Sequence, residues 1–294
     1  MKDLENKQKT IEGALRRASY CFTGAGIEQP RDEAEILLAE LMGWSRLELF
    51  LERSSILENH SAAVFEKAVE RRSRGEPAAY ITGNREFYGL EFIVNRDVLI
   101  PRPETELLVD AVLEWARNRA GNICGVDLGS GSGNLAVALT YHLPHSTFYA
   151  VDLSKKALQL AAANAARHGV SGQIRFCQSD YFDVFSRMEL PPRFNLVVAN
   201  PPYLTSAEMG DLPPTIRDYE PRLALEGGQD GLNAYRSILG ALPSFIRGPG
   251  LVALEIGSTQ GAAILSLCRQ LSIFHKLTLL HDYRDLPRIL LGSF

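Results

Sequence analysis

The chain has 294 residues, of which 46% are hydrophobic and 22% charged, and its formal net charge at pH 7 is −4. This composition is typical of a soluble globular protein with one large domain or two of ordinary size. The net charge excludes a global basic field of the kind that drives tight duplex binding, so we expect no direct binding to nucleic acid.

Motif counts exclude further classes. No apolar stretch approaches the length of about 18 residues that a membrane span needs, so we expect no membrane partner. The four cysteines include no CxxC pair and the six histidines have no metal-ligand spacing, so we expect no metal site. The first residues are charged and lack an apolar signal region, which predicts a cytoplasmic protein with reduced thiols.

Residues 7 to 75 predict a small bundle of helices. Ser45 and Glu48 form a capping box at the start of one helix, and a later helix spans Ala62 to Arg74. No catalytic constellation occurs here, so we expect residues 1–83 to form a substrate-recognition domain. Three arginines near the end of the last helix are interpreted as favourable charge at a helix C-terminus rather than as a partner-binding patch: Arg71, Arg72 and Arg74.

Residues 84–104 are predicted to link this domain to the next. Two short strands between Glu86 and Val94 would form a hairpin around Gly89-Leu90, a turn of the Gly-X type. The prolines that follow hold the chain extended, and Pro103 or Thr105 can open the next helix. Two charged residues of this segment are consistent either with a solvated linker or with a place in the cleft: Arg102 and Glu104.

A strand, a glycine turn and a helix follow in that order. The strand is Ile123–Leu128, and the helix begins at Asn134. Glycines let the backbone turn sharply and approach a ligand, and a helix N-terminus offers free N–H groups. The next strand, Phe148–Val151, ends at Asp152, where an acidic residue can hold ribose hydroxyls. This order predicts a βαβ unit that binds an adenosine-containing cofactor at Gly129, Ser130, Gly131, Ser132 and Gly133.

The spacing of the glycine turn favours one class of cofactor. The run Asp-Leu-Gly-Ser-Gly-Ser-Gly differs from the dinucleotide pattern G-x-G-x-x-G because its third glycine comes one residue too early. Asp127 precedes the first glycine, and its carboxylate suits a positively charged ligand better than a pyrophosphate. S-adenosyl-L-methionine fits because it carries an ammonium group and no phosphate. The alternative is a tight glycine turn without a ligand.

Two further strands end in residues that can contact a ligand. Residues 173–177 lead to Asp180 and Tyr181, either of which can flank an adenine, by a hydrogen bond or by stacking, although Tyr181 is equally consistent with a core aromatic. The apolar strand Phe194–Ala199 leads to Asn200-Pro201-Pro202-Tyr203, at the edge where open α/β sheets bind ligands. Asn200 adds an amide oxygen, and the prolines keep their carbonyls but lack N–H donors. This acceptor-rich corner suits a planar NH2 group, although a simple proline turn is the alternative.

The carboxyl-terminal part is predicted to complete the sheet. Residues 205–225 predict a loop or lid, and residues 226–232 a glycine-rich turn before a helix. Three strands follow, and the last two can form an antiparallel edge pair: 250–255, 276–280 and 287–291.

With these motifs placed, the chain resembles the PrmC/HemK family, the peptide chain release factor glutamine methyltransferases. The resemblance covers nearly the whole chain and includes three segments outside the two central motifs: Glu76–Gly83, Ile100–Glu106 and Gly227–Leu232. It implies an α/β fold with a seven-stranded, doubly wound, Rossmann-like methyltransferase sheet in residues 105–294. A helical-bundle domain, residues 1–83, would be joined to it by the β-hairpin linker 84–104.

The resemblance also implies the reaction. The enzyme would transfer a methyl group from S-adenosyl-L-methionine to the glutamine side-chain amide of the Gly-Gly-Gln motif in class 1 release factors, its protein partners. The Asn-Pro-Pro-Tyr motif is shared with other families, so an amino methyltransferase acting on DNA adenine or rRNA is the alternative. A binding module without catalysis and a dehydrogenase are more distant ones. Residues 227–229 here also read Gly-Gly-Gln, which we interpret as coincidence.

The roles implied by the resemblance fall on three sets of residues. The catalytic residues would be Asn200, Pro201 and Tyr203. The substrate amide would be held by these three together with Pro202. The cofactor would be bound by the whole glycine turn, by Asp152, by Asn200 and by Tyr181, a position that is often tryptophan in relatives: Gly129, Ser130, Gly131, Ser132, Gly133, Asp152, Tyr181 and Asn200.

Overall fold

Two units of the chain fold around separate apolar cores in the computed structural model, which describes residues 9–117, 119 and 121–294. The first unit comprises the described residues up to Gly83 together with Pro214–Tyr219. The second comprises Asn84–Pro213 and Glu220–Phe294, so it includes the segment predicted as a linker.

The first unit is helical, as predicted. Its core is formed by side chains such as Leu15, Phe22, Leu37 and Phe65, which are almost completely buried. The predicted capping box is confirmed, since Ser45 accepts from the Glu48 N–H while the Glu48 carboxylate accepts from the Ser45 N–H. Its helices are α1 Ile11–Gly24, α2 Pro30–Met42, α3 Arg46–Leu51, α4 Asn59–Ser73 and α5 Ala78–Thr82, with α11 Pro214–Arg217 from the later segment.

The arginines at the end of α4 have specific partners inside this unit. Arg71 binds the buried carboxylate of Glu76, with Nε at 2.7 Å from Oε2. Arg72 binds Glu33 of α2, with Nε at 2.5 Å from Oε1. These contacts join α4 to neighbouring segments of the bundle, and the two guanidinium groups therefore have structural roles.

The predicted hairpin is present, but its turn lies one residue earlier than expected. Strand β1, Asn84–Phe87, pairs with β2, Leu90–Ile93, so Leu90 belongs to the strand and the turn residues are Tyr88 and Gly89. Both have positive φ, 52° and 73°, as a type I′ turn requires. A tyrosine adopts this conformation here because its N–H donates to Glu106 and its hydroxyl to Asp110.

The second unit is built on a seven-stranded sheet among the described residues, in the order β5-β4-β3-β6-β7-β9-β8. The first five strands of that order are parallel, and β9 pairs antiparallel with both β7 and β8, which confirms the predicted antiparallel pair. The strands are β3 Ile123–Leu128, β4 Ser146–Asp152, β5 Ile174–Gln178, β6 Phe194–Ala199, β7 Ile246–Glu255, β8 Lys276–His281 and β9 Pro287–Ser293.

Consecutive residues of β3 and β6 are buried, although their side chains point to opposite faces of the sheet. Both faces are therefore covered, as in a sheet with helices on each side. The predicted doubly wound α/β fold is therefore confirmed. The remaining helices are α6 Glu106–Arg117, α7 Asn134–His142, α8 Lys155–Arg167, α9 Asp183–Ser186, α10 Glu208–Asp211, α12 Asn233–Ala241 and α13 Gly261–Gln270. No helix within the described ranges is both long and apolar enough to cross a membrane.

The strand order places the switch point between β3 and β6. The chain leaves β3 toward β4 and β5 on one side and returns through β6 on the other. In open α/β sheets ligands bind outside the carboxyl ends of the strands at this point. The glycine turn follows β3 and Asn200 follows β6, so the two motifs singled out in the sequence meet there.

Candidate active site

A cavity of about 460 Å³ lies at the carboxyl ends of β3, β4 and β6 in the second unit. This volume is in the range of small-molecule sites. It is lined by most of the residues predicted to bind a cofactor or substrate, together with residues of the proline-rich segment and of the Gly227 loop: Gly129, Ser130, Gly131, Ser132, Asp152, Tyr181, Asn200, Pro202, Arg96, Asp97, Val98, Leu99, Thr105, Glu226 and Gly227.

The glycine turn offers an open backbone to the cavity. The N–H groups of Gly129 and Ser130 donate to the Val151 carbonyl at 2.8 and 2.9 Å. Gly129 and Gly131 have φ of 77° and 55°, and a Cβ added at either would meet no atom within 4 Å. The backbone can therefore approach a ligand closely, because no side chain stands between them.

Gly133 has a different role from the other two glycines. It caps α7 with φ of 79°, and a Cβ there would lie 2.9 Å from the Cβ of Ala161 on α8. Gly133 does not line the cavity. The geometry therefore gives Gly133 a part in the close packing of α7 on α8, and its contact with a cofactor stays a prediction.

Asp127 lies buried directly before the turn. Its Oδ2 accepts from the Ser130 hydroxyl at 2.7 Å and from the Ala136 N–H at 3.1 Å, whereas its Oδ1 has no hydrogen-bond partner. Burial raises the pKa of this carboxyl to about 7. Asp127 does not itself line the cavity, but an unpartnered buried carboxylate oxygen directly before the glycine turn that lines it fits the cationic group of S-adenosyl-L-methionine.

Asp152 and Tyr181 form the next part of the wall. The Asp152 carboxylate accepts from the N–H groups of Gly131 and Ser154, both at 2.8 Å, which holds it at the end of β4. Burial raises the pKa of Asp152. Tyr181 adopts a φ of 43°, an uncommon conformation for a bulky residue, and burial raises the pKa of its phenol. Its ring therefore stays neutral beside the carboxylate.

The side chain of Asn200 reaches the same cavity with its amide held in one orientation. Its Nδ2 donates to Thr105 Oγ1 at 3.2 Å, and the Thr105 hydroxyl donates to Glu255 Oε2 at 2.6 Å. Since the amide nitrogen is engaged, Oδ1 is the atom that can accept from a ligand. Neither Thr105 nor Glu255 was selected from the sequence as a site residue, although Glu255 ends its strand as Asp152 does.

Of the other residues of the Asn-Pro-Pro-Tyr motif, one lines the cavity and two lie outside its lining. Pro202 lines the cavity, whereas Pro201 and Tyr203 do not. The Tyr203 carbonyl accepts from Gln260 Nε2 at 2.9 Å, and Gln260 also donates to the Gly231 carbonyl at 3.2 Å. Burial raises the pKa of the Tyr203 phenol to about 12. Gln260, which sequence reasoning missed, thus joins the motif to the glycine-rich loop.

Arg102 is held in an ion pair. It binds Glu220 with Nη2 at 2.5 Å from Oε1, and the Glu220 side chain is 1% exposed. The other Glu220 oxygen accepts from the Ile100 N–H at 3.2 Å. The pair fixes the proline-rich segment that lines the cavity. No cluster of His, Cys, Asp and Glu suited to a metal occurs over the residues that the structure describes.

Two protein-family models match the chain. The model described as PrmC N-terminal domain matches residues 13–83. The model described as Methyltransferase small domain matches residues 103–212. Together they cover most of the first unit and the part of the sheet that carries the glycine turn and Asn200.

Curated proteins match over nearly the full chain. The release factor glutamine methyltransferase of Moorella thermoacetica is 39% identical over 96% of this chain and 98% of its own. The protein of the same name from Bacillus subtilis is 40% identical over 88% of this chain and 89% of its own. Among solved structures, the hMettl16 catalytic domain in complex with a MAT2A 3'UTR hairpin superimposes with a TM-score of 0.56 at 16% identity, covering 81% of this chain and 82% of that chain. This last likeness concerns the fold alone.

Proposed function

The chain belongs to the family of release factor glutamine methyltransferases, which depend on S-adenosyl-L-methionine, and we propose that it methylates the glutamine amide of the Gly-Gly-Gln motif in class 1 peptide chain release factors. The observation that carries this proposal is the Asn200 amide, whose oxygen is available for an N–H donor in the cavity lined by the glycine turn. We also propose that the reaction takes place in the cytoplasm.

The two matched family models divide the chain into a helical and a catalytic part. We assign residues 1–83 to substrate recognition, and the model described as PrmC N-terminal domain matches residues 13–83 of this segment. By the boundaries that we propose, residues 84–104 are the linker with its hairpin and residues 105–294 carry the catalytic sheet, whereas the structure groups residues 84–104 with the second unit. A small-molecule substrate would need only the catalytic pocket. A protein substrate is larger, and we propose that the helical domain gives it a second binding surface.

The cofactor would lie along the glycine turn. S-adenosyl-L-methionine supplies a methyl group on a positively charged sulfur. The backbone of Gly129 and Gly131 gives the space for it, because neither position carries a side chain toward the cavity. Asp152 would accept from the ribose hydroxyls, and Tyr181 would flank the adenine. Asp127 would attract the ammonium group, which fits its unpartnered Oδ1.

The substrate amide would be oriented by acceptors alone. Asn200 Oδ1 would accept one of its N–H groups in the cavity, and Pro202 would border it at the wall. The carbonyl of Pro201, a residue outside the lining, is the acceptor that we propose for the other N–H group. Tyr203, which lies outside the lining, would act by anchoring the corner through the bond from Gln260 to its carbonyl. An amide nitrogen is a weak nucleophile because its lone pair is delocalised, so orientation carries much of the catalysis, on the order of 7–11 kcal/mol.

Positive charge would develop on the amide nitrogen as it forms a bond to the methyl carbon and the bond from that carbon to the cofactor sulfur breaks. The two acceptor oxygens stabilise that charge, in the manner of a preorganised electrostatic site. The nitrogen then loses one proton to solvent. The reaction therefore does not need a strong general base among the residues of this corner.

The proposal is tested by methyl transfer with labelled cofactor to purified release factor, to DNA and to rRNA. We expect transfer to the release factor only. Asn200→Ala should lower kcat by about 10²- to 10³-fold, the usual cost of removing one preorganised hydrogen-bonding group, with little change in cofactor affinity. Asn122→Ala, at an exposed asparagine, is the matched control. Transfer to DNA or rRNA instead, or wild-type turnover by Asn200→Ala, would contradict the proposal.

A further inference from the structure

We propose that Glu255 is a positioning residue, whose carboxylate acts through the Thr105 hydroxyl to hold the Asn200 amide oxygen toward the substrate. This inference rests on the proposed function and names a further residue of the same site. Glu255 is 2% exposed and Thr105 is 1% exposed, so their contact is shielded from water.

The sheet brings the three groups together. Strands β6 and β7 are parallel neighbours, with Ala199 opposite Leu254. Asn200 directly follows β6 and Glu255 is the last residue of β7, so both lie at the carboxyl edge of the sheet. Thr105 ends the short 3-10 turn Pro103–Thr105, and its hydroxyl lies 3.2 Å from Asn200 Nδ2 and 2.6 Å from Glu255 Oε2.

The direction of these hydrogen bonds follows from the number of protons. A threonine hydroxyl has one hydrogen, and an ionised Glu255 can only accept it. Thr105 must then accept from Asn200, and the group of Asn200 that can donate is Nδ2. The carboxylate therefore selects the amide orientation in which Oδ1 is free to accept from the substrate.

A protonated Glu255 removes this selection. Its carboxyl hydrogen can be donated to Thr105 Oγ1, and the Thr105 hydrogen is then free to be donated to Asn200 Oδ1. The amide would turn, and Nδ2 would face the substrate NH2 group. Two donors would then oppose each other at the point where the reaction needs an acceptor.

The surroundings of Glu255 allow it to titrate near neutral pH. Burial raises its pKa to about 7, and the nearby Glu104 acts in the same direction, whereas the hydrogen bond from Thr105 and the charges of Arg288 and Arg102 lower it. Arg288 is itself bound to Asp282 at 2.9 Å. The phenols of Tyr203 and Tyr235 also face Glu255, and the Tyr235 hydroxyl donates to its backbone carbonyl at 2.8 Å. The carboxylate form is therefore lost as the pH falls through about 7.

The test compares Thr105→Val, Thr105→Ser and Glu255→Gln with the wild type in the release-factor assay. Thr105→Val removes the hydroxyl at nearly constant volume, and we expect kcat to fall by about 10²-fold because the amide is no longer held in place. Thr105→Ser keeps the hydroxyl and should restore most of that loss. Thr140→Val is the matched control, since Thr140 is a buried threonine whose hydroxyl donates to the Ala136 carbonyl within α7.

The pH profile separates positioning from a merely structural role. In the wild type, kcat should rise with pH through about 7, whereas in Glu255→Gln that rise should disappear because the residue no longer titrates. Cofactor affinity should change little in either threonine variant. Wild-type kcat in Thr105→Val, or an unchanged pH profile in Glu255→Gln, would overturn the inference. A wild-type enzyme without transfer to release factor would instead overturn the proposed function.

Discussion

Replacing Asp127 by asparagine should make the apo protein more stable and weaken its binding of S-adenosyl-L-methionine. In the wild type a buried carboxylate with one unpartnered oxygen must ionise beside the glycine turn. Asparagine keeps one oxygen for the two donors that Asp127 Oδ2 now binds, Ser130 and Ala136. Its Nδ2 replaces the oxygen that already lacks a partner, so the substitution removes mainly the charge.

The size of the stability effect follows from the pKa. Burial raises the pKa of Asp127 from 3.8 to about 7, and each pH unit between those values is worth about 1.4 kcal/mol. Between about pH 4 and about pH 7 the unfolded chain has lost this proton and the folded chain retains it. The stability of the wild type relative to Asp127→Asn therefore falls by at most about 4 kcal/mol over this range, and stays constant above it.

The effect on cofactor binding has the opposite sign. A hydrogen bond between the carboxylate and an ammonium group contributes about 1.5–3 kcal/mol, so Asp127→Asn should raise the Kd accordingly above about pH 7. The wild-type affinity should weaken as the pH falls through about 7, since the carboxyl is then protonated. In the variant this dependence should be absent.

Two assays measure these effects on the same preparations. Urea denaturation of the apo proteins at about pH 5 and about pH 8 gives the difference in stability, and titration calorimetry gives the Kd. The variant should gain relative stability at the higher pH and lose affinity there. A variant that is equally stable relative to wild type at both pH values and binds the cofactor as well as wild type would refute the assigned role of Asp127.

Two further substitutions test the packing around the site. Gly133→Ala should destabilise the protein by about 1–3 kcal/mol, because the added Cβ would lie 2.9 Å from the Ala161 Cβ. Gly169 also has a positive φ but has open space around an added Cβ, so Gly169→Ala should lower the melting temperature less. Equal decreases of the melting temperature in calorimetry would argue against the clash. Gln260→Leu removes the donor to the Tyr203 carbonyl, so it should destabilise the protein by about 1–3 kcal/mol and lower kcat more than it changes cofactor Kd. Unchanged kcat in that variant would show that the bond does not position the corner.

The local motifs were predictable from the sequence because each lies at the end of a single strand. Asp152 and Asn200 follow apolar runs, and the parallel sheet brings such ends to one edge. The contact between Thr105 and Glu255 was not predictable, since 150 residues separate them and Thr105 lies on a short 3-10 turn rather than at the end of a strand. The hairpin turn at Tyr88 was misplaced for a similar reason. Its positive φ is stabilised by residues of a later helix, whereas local pattern favours glycine there.

The central claim is tested most directly by mass spectrometry of a class 1 release factor after incubation with the enzyme and S-adenosyl-L-methionine. The Gly-Gly-Gln peptide should gain the mass of one methyl substitution, fragmentation should place it on the glutamine side chain, and the Asn200→Ala enzyme should leave the peptide almost unmodified. An unmodified glutamine after incubation with cofactor-bound wild-type enzyme, or a methyl group at another residue, would contradict the account.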